Sequence, residues 1–188
     1  MNGYARRLAA VAMLAIAAAQ ADAEGYGIGS PASAADIAAW DRDVNAAGVG
    51  LPPGSGTAAE GAAVYQAQCA ACHGPAGEGG PYDRLVSPFA ADNDFGGDYS
   101  VRRTIGNFWP YATTLYDYVQ RAMPLTAPGS LTPDEVYALV AYLLSANGII
   151  GAHQPVDAGN LASIRMPARD LFFWSAESRQ LEAQPLPH

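Results

Sequence analysis

The sequence predicts an all-α domain of few helices joined by long loops and flanked by extended N- and C-terminal arms. Three observations lead there. Two helical patterns open with complete capping boxes, one at Thr57 with Glu60 and one at Thr132 with Glu135. Gly (20) and Pro (14) are abundant for a helix bundle, which makes long connections necessary. Apolar types form 50% of the 188 residues and charged types 15%, so the chain can bury a core and is too apolar to be a disordered one.

Taken in order, the chain begins with Arg6 and Arg7 ahead of an apolar run from Leu8 to Ala19, which ends at the small-residue site Ala21-Asp22-Ala23. That pattern reads as a secretory signal peptide at residues 1–23, the run being shorter than the roughly 20 residues a membrane-spanning helix needs. The mature protein is then exported, periplasmic and without a membrane span. Residues 24–56 are rich in Gly, Ala, Ser and Pro and close with Leu51-Pro52-Pro53-Gly54-Ser55-Gly56; they read as an extended arm with one short helix at Ala34 to Trp40. Residues 57–150 form the folded core. Its first helix runs from the Thr57 cap through Val64 and Tyr65 to Cys69. Its second has Thr132 as N-cap, Pro133 in the first helical position and the stripe Val136, Leu139, Val140 and Leu143, and stops at Asn147-Gly148. Residues 151–188 show no sustained helical period and carry a bulky cluster, Leu171-Phe172-Phe173-Trp174. They read as a second arm lying against the core or a partner.

Charge and cysteine usage narrow the function. The formal net charge is -8, and every basic side chain is Arg because the chain has no Lys. A nucleic-acid partner is therefore excluded as a reading, and docking through a lysine ring is impossible. The 2 Cys stand three positions apart in Cys69-Ala70-Ala71-Cys72-His73, the C-x-x-C-H pattern of covalent c-type haem attachment. Two thiols on one helical turn can add to the two haem vinyl groups, and the His that follows then faces the iron. A redox dithiol or a plain disulfide are the alternatives, and the first would want a βαβ setting that the sequence lacks. The expected cofactor is one covalent haem c.

An iron held by His73 needs its other axial position defined. Candidates are Met123, Met166, His153 and His188. Met123 lies on the loop just before the second capped helix, the loop that covers the open haem face in a small haem fold, and is the expected ligand. Met166 reads as an apolar plug in the tail. The Nδ1 of His73 should donate to a backbone carbonyl at Pro81 or a near neighbour. Arg102, Arg103, Trp109 and Tyr111 are candidate donors to the haem propionates, the alternative being a solvated face and packing. Asp92, Asp94 and Asp98 imitate the start of a calcium loop but read as an acidic loop, since Arg103 stands where the bidentate Glu belongs.

These residues also carry a resemblance. Gly61-Ala62-Ala63-Val64-Tyr65 leading into the Cys motif, Gly74 after His73, Met123-Pro124, Leu131-Thr132 and Ala141-Tyr142-Leu143 resemble a class I cytochrome c over about half the chain. More narrowly, Trp40-Asp41, the Gly50 to Gly56 stretch, Thr104-Ile105-Gly106, Trp109-Pro110-Tyr111-Ala112-Thr113-Thr114, Asp117-Tyr118, Arg121-Ala122-Met123-Pro124 and Met166-Pro167-Ala168-Arg169-Asp170 resemble the cytochrome subunits of Sox-type sulfur dehydrogenases and sulfite dehydrogenases. The resemblance implies an electron-transfer subunit with no catalytic residue of its own. It would accept electrons from a molybdenum-containing sulfite/sulfur dehydrogenase subunit and pass them to a downstream cytochrome or oxidase. Such cytochromes can carry a second haem domain; this chain has a single attachment motif, as a monohaem version would. A carrier for another periplasmic dehydrogenase or oxidase, or a haem enzyme or gas sensor with an open iron, are the other readings.

Overall fold

The computed structural model describes residues 28–87, 102–173 and 175. The expected signal peptide, the Asp92, Asp94 and Asp98 loop, His188 and Trp174 lie outside the described residues. The chain divides into two units after Asp41. In the first, α1 (Ala34–Trp40) begins at a capping box. The Ser33 hydroxyl accepts from the Asp36 N–H, and the Asp36 carboxylate accepts from the Ser33 N–H at 2.9 Å. Every residue of α1 is exposed, including Ile37 and Trp40. It occupies the residues at which the sequence predicts a short helix.

The second unit starts at Arg42, inside the stretch read as the N-terminal arm. Its elements are β1 (Ser55–Gly56), α2 (Ala58–Gln68), α3 (Ala70–His73), α4 (Ile105–Phe108), α5 (Ala112–Ala122), α6 (Pro133–Ala146) and β2 (Val156–Asp157), with 3-10 turns at Leu161–Ser163 and Arg169–Leu171. Both predicted core helices form between the expected caps. Thr57 and Glu60 close the box on α2, Thr132 and Glu135 the box on α6, and Pro133 takes the first turn of α6, where its missing N–H costs nothing.

Helices α2 and α6 form the main helix pair. Their crossing is set by a small residue, since a Cβ on Gly61 would run into the Ala138 carbonyl; Gly56 in β1 approaches the Ala138 backbone as closely. With the backbones this close, Tyr65 is fully buried and its ring meets Tyr142 at 4.9 Å. Helix α6 is also flanked by β1, β2, α4 and α5. It is therefore buried nearly all round, over Val136 to Ala141 and at Leu143 and Leu144, rather than along one stripe. Each of those Val and Leu side chains contributes about 1.5–3 kcal/mol relative to exposure.

Helix α5 was not evident as a helix from the sequence. It has no side-chain cap at Tyr111 and carries two β-branched residues, Thr113 and Thr114, in its first turn. Its buried stripe of Ala112, Leu115, Tyr116 and Val119 has the same three-one-three spacing as α6 and is the signal that identifies it.

Within the second unit, described residues from both stretches read as arms join the core. Val44 is buried, and its N–H donates to Asp117 Oδ1 at 2.7 Å; Asp117 also pairs with Arg121 one turn later on α5. The Tyr137 hydroxyl donates to the Pro52 carbonyl at 2.9 Å. On the other side Val156 stands opposite Gly56 in an antiparallel pair, and Leu161, Met166 and Ala168 are buried in the same core. Burial opposes ionisation of Asp117, but the Arg121 hydrogen bonds, the Val44 N–H and the Arg121 charge together hold its carboxyl below the ordinary value of 3.8. The stability it contributes is therefore present above that ordinary value and is lost as pH falls through the lower folded value. Asp117→Asn should cost about 1–3 kcal/mol at neutral pH. Chemical unfolding of both proteins from pH 7 down to acid should show the gap narrowing; a gap independent of pH would contradict the pairing.

Candidate haem site

Cys69 ends α2 and is the first residue of the turn that becomes α3, so both thiols and the imidazole fall within a single helical turn. The backbone holds that turn at each step: Cys72 and His73 donate to the Cys69 carbonyl at 3.1 and 3.0 Å, and Gly74 donates to Ala70 at 2.9 Å. Cys69, Cys72 and His73 are all half-buried, and the two cysteines are not bonded to each other. Burial, with the neighbouring Cys72 adding to it, pushes the Cys69 thiol up to about 11, so it stays protonated near neutral pH.

The chain after His73 folds back over it. Gly79 donates to the His73 carbonyl at 2.8 Å and Tyr82 to the Cys72 carbonyl at 3.0 Å. The fold-back brings the Asp83 carbonyl to 2.7 Å from His73 Nδ1. A carbonyl only accepts, so Nδ1 carries the proton and Nε2 keeps its lone pair for a metal. The sequence places this acceptor at Pro81 or nearby; it is Asp83. Two further ties fix the segment. Leu85 and Val86 both donate to the Gly77 carbonyl at 2.9 Å, and buried Asn147 at the end of α6 accepts from Ser87 N–H at 2.9 Å while donating to Leu143 and Leu85. Nothing in the sequence marked Asn147 as more than a helix stop.

Gly74 is required where it stands. Its φ of +84 with ψ of 153 is a region essentially reserved for glycine, and an added Cβ would lie 2.7 Å from the Gly79 carbonyl and against the Glu78 carboxylate. Its carbonyl accepts the Tyr65 hydroxyl at 2.8 Å, which ties the turn to the helix pair beneath it.

Met123 comes from a different element. It caps the C-terminus of α5, is half-buried, and precedes buried Pro124. Arg121, two residues earlier, is anchored to Asp117. Met166 is 1% exposed inside the apolar core, and His153 is exposed. The propionate candidates lie on and around α4. Trp109 donates its indole N–H to Thr114 at 2.9 Å, the Arg103 guanidinium covers the Phe108 ring at 4.6 Å, and Tyr111 lies under Arg169 at 4.4 Å. Arg102 is exposed, and its carbonyl accepts from Asn107.

The donor set fits a covalently held haem: two cysteines on one turn, an imidazole whose Nδ1 is already engaged, and a half-buried thioether at the end of a second helix. The family described as cytochrome c oxidase, cbb3-type, subunit III matches residues 56–143. A chain of the crystal structure of the sulfane dehydrogenase SoxCD from Paracoccus pantotrophus is 32% identical. The match has a TM-score of 0.70 and covers 87% of this chain and 81% of that one. The chain belongs to the cytochrome c family. As a member it is an electron-transfer haem protein, and its mostly helical fold is that of the family. Among curated proteins none matches the cytochrome. No helix among its described residues is long and apolar enough to cross a membrane.

Replacing Gly74 with Ala should strain the turn by about 1–3 kcal/mol and displace the loop that aims His73. The ratio of haem absorbance to polypeptide in mature protein is expected to fall, and a ratio equal to wild type would show that the loop does not depend on this backbone.

Proposed function

We propose that the protein is a periplasmic monohaem c-type cytochrome, exported by residues 1–23, that carries single electrons as the redox subunit of a molybdenum sulfite/sulfur dehydrogenase. Cys69 and Cys72 would hold the haem through thioether bonds, and His73 and Met123 would coordinate its iron. When bound, the haem supplies a one-electron iron couple. The chain's own part is to keep that iron's surroundings unchanged between its two charge states. His73 is held from behind by Asp83, its turn is pinned by Gly74, and Tyr65 and Asn147 tie the turn and the returning loop to the frame. A thioether is a neutral, soft donor, and pairing it with imidazole favours the reduced iron relative to two imidazoles, which suits an electron acceptor.

The observation that carries the electron-carrier reading is the Cys69-Cys72-His73 turn with Nδ1 committed to Asp83. The partner is supported by the likeness to a chain of a sulfane dehydrogenase, which covers 87% of this chain. Residues 24–56 and 151–188 are the N-terminal arm and C-terminal extension of a domain spanning 57–150. Of the propionate candidates, the Arg102 guanidinium and the Tyr111 hydroxyl take that role, while the Arg103 guanidinium is held over the Phe108 ring. Trp109 serves the α5 entry by bonding Thr114. Electrons leave to a downstream cytochrome or oxidase.

Met123→Ala should open the iron: the reduced variant is expected to bind carbon monoxide stoichiometrically where the wild type binds little, and an unchanged spectrum would remove Met123 as ligand. Purification from the native cell envelope should recover a molybdenum-containing subunit whose oxidation of sulfite reduces the haem. Absence of molybdenum from the eluate, together with no reduction by sulfite, would assign the carrier to a different dehydrogenase or oxidase.

A further inference from the structure

The cations of this acidic chain are used unevenly. Arg121 is paired with Asp117, Arg165 with Asp170, and Arg84 donates to the Glu78 carbonyl at 3.0 Å. Arg103 and Arg169 form no ion pair among the described residues, and each lies on an aromatic ring instead, 4.6 Å from the centre of Phe108 and 4.4 Å from that of Tyr111. The two stacks belong to one patch. Phe108 meets Phe172 edge-on at 5.1 Å, and Phe172 caps the 3-10 turn formed by Arg169–Leu171. Leu171 and Phe173 continue the patch outward, Phe173 being 91% exposed.

A guanidinium held over a ring is attracted by the ring's π face without an ion-pair partner, and its N–H donors form a planar fork suited to a carboxylate. The stack also reduces the side-chain freedom that a new contact would have to remove. The patch therefore offers two pre-positioned forks beside exposed apolar surface. Because the whole chain carries -8, the patch is also where an acidic partner meets attraction instead of repulsion, which orients the encounter.

We propose that Arg103, Arg169 and the segment from Leu171 to Phe173 dock the molybdenum-bearing dehydrogenase subunit through carboxylates that flank an apolar contact on its surface. The identity of that partner rests on the function proposed above. The choice of occupant comes from the tail. The family match ends at residue 143, whereas a likeness covering 87% of the chain is too long to stop there and runs into the tail. The dehydrogenase chain thus shares what a bare haem domain does not need. Leu161, Met166 and Ala168 anchor the tail to the core, while Leu171 and Phe173 face solvent.

The test uses holoprotein and the molybdenum subunit recovered with it from the cell envelope, with Kd measured by titration at about 20 and about 200 mM salt. Wild-type affinity should fall as salt rises. R103Q/R169Q should bind about tenfold more weakly or worse at low salt, with a flatter salt dependence, and F173S should lose several-fold at both salts. R103K/R169K, which keeps the charge and loses the fork, should retain the salt slope with intermediate affinity. Thermal midpoints and the rate of reduction by dithionite should stay at wild-type values; should the Gln pair fail to fold, the Lys pair and F173S carry the test. Wild-type binding by all variants would overturn the proposal. A shifted reduction potential with unchanged binding would also overturn it, placing the arginines at the propionates, as would loss of transfer to a downstream acceptor alone. Failure of the wild type itself to bind or be reduced by the molybdenum subunit would instead overturn the function proposed above, and the docking surface with it.

Discussion

The close approach of α2 to α6 at Ala138 is the constraint on which the rest depends. Glycine at 61 lets the two helix backbones nearly touch, Gly56 brings β1 equally close to α6, and the Tyr65 and Tyr142 rings pack beside the crossing. Because α3 continues α2 after a single residue, fixing α2 also fixes the turn that bears both thiols and the imidazole. The Tyr65 hydroxyl makes the link explicit: one side chain is fully buried in the crossing at its base and bonded to the Gly74 carbonyl at its tip. Burial and the charges around it raise the phenol far above its ordinary range, so it remains a donor at neutral pH.

Local signals made the helix pair legible. Capping boxes at Thr57 and Thr132 and proline in the first turn of α6 are set by residues three or four apart, and such features survive in any tertiary context. The thiol and imidazole spacing was legible for the same reason. What escaped depended on distant partners. Asn147 looked like a helix stop because its bonds to Ser87 and Leu85 cross some sixty positions. Asp117 is bonded to Val44 across a similar distance, and Asp83 supplies only its backbone, which no side-chain pattern can announce. Helix α5 lacked a cap and carried β-branched residues in its first turn, so its apolar stripe was the sole local sign. Helix α6 looked one-sided because a sequence shows which face is apolar but not how many neighbours will come to cover it.

Met166 shows how packing divides two chemically similar side chains. Two methionines follow the haem motif within the described residues, each with proline next in sequence. One is sealed at 1% exposure among Leu, Val and Tyr side chains, and the other stands half-buried at the end of a helix whose last turn is tied down by an ion pair. A thioether buried in apolar packing fills volume. The same group at a helix end, with its backbone fixed and its side chain partly open, is available to a metal.

The two-residue ladder of β1 and β2 has a mechanical consequence. Gly56 and Val156 are partners across it, although the helices of the haem domain lie between them in sequence. Tension applied to the polypeptide beyond these two residues would load the outer anchors first, Val44 at Asp117 on one side and buried Leu161 and Met166 on the other, and would meet the rung only after they gave way. The cofactor turn lies in the stretch of chain between these closures, so neither extension is joined to it directly in sequence.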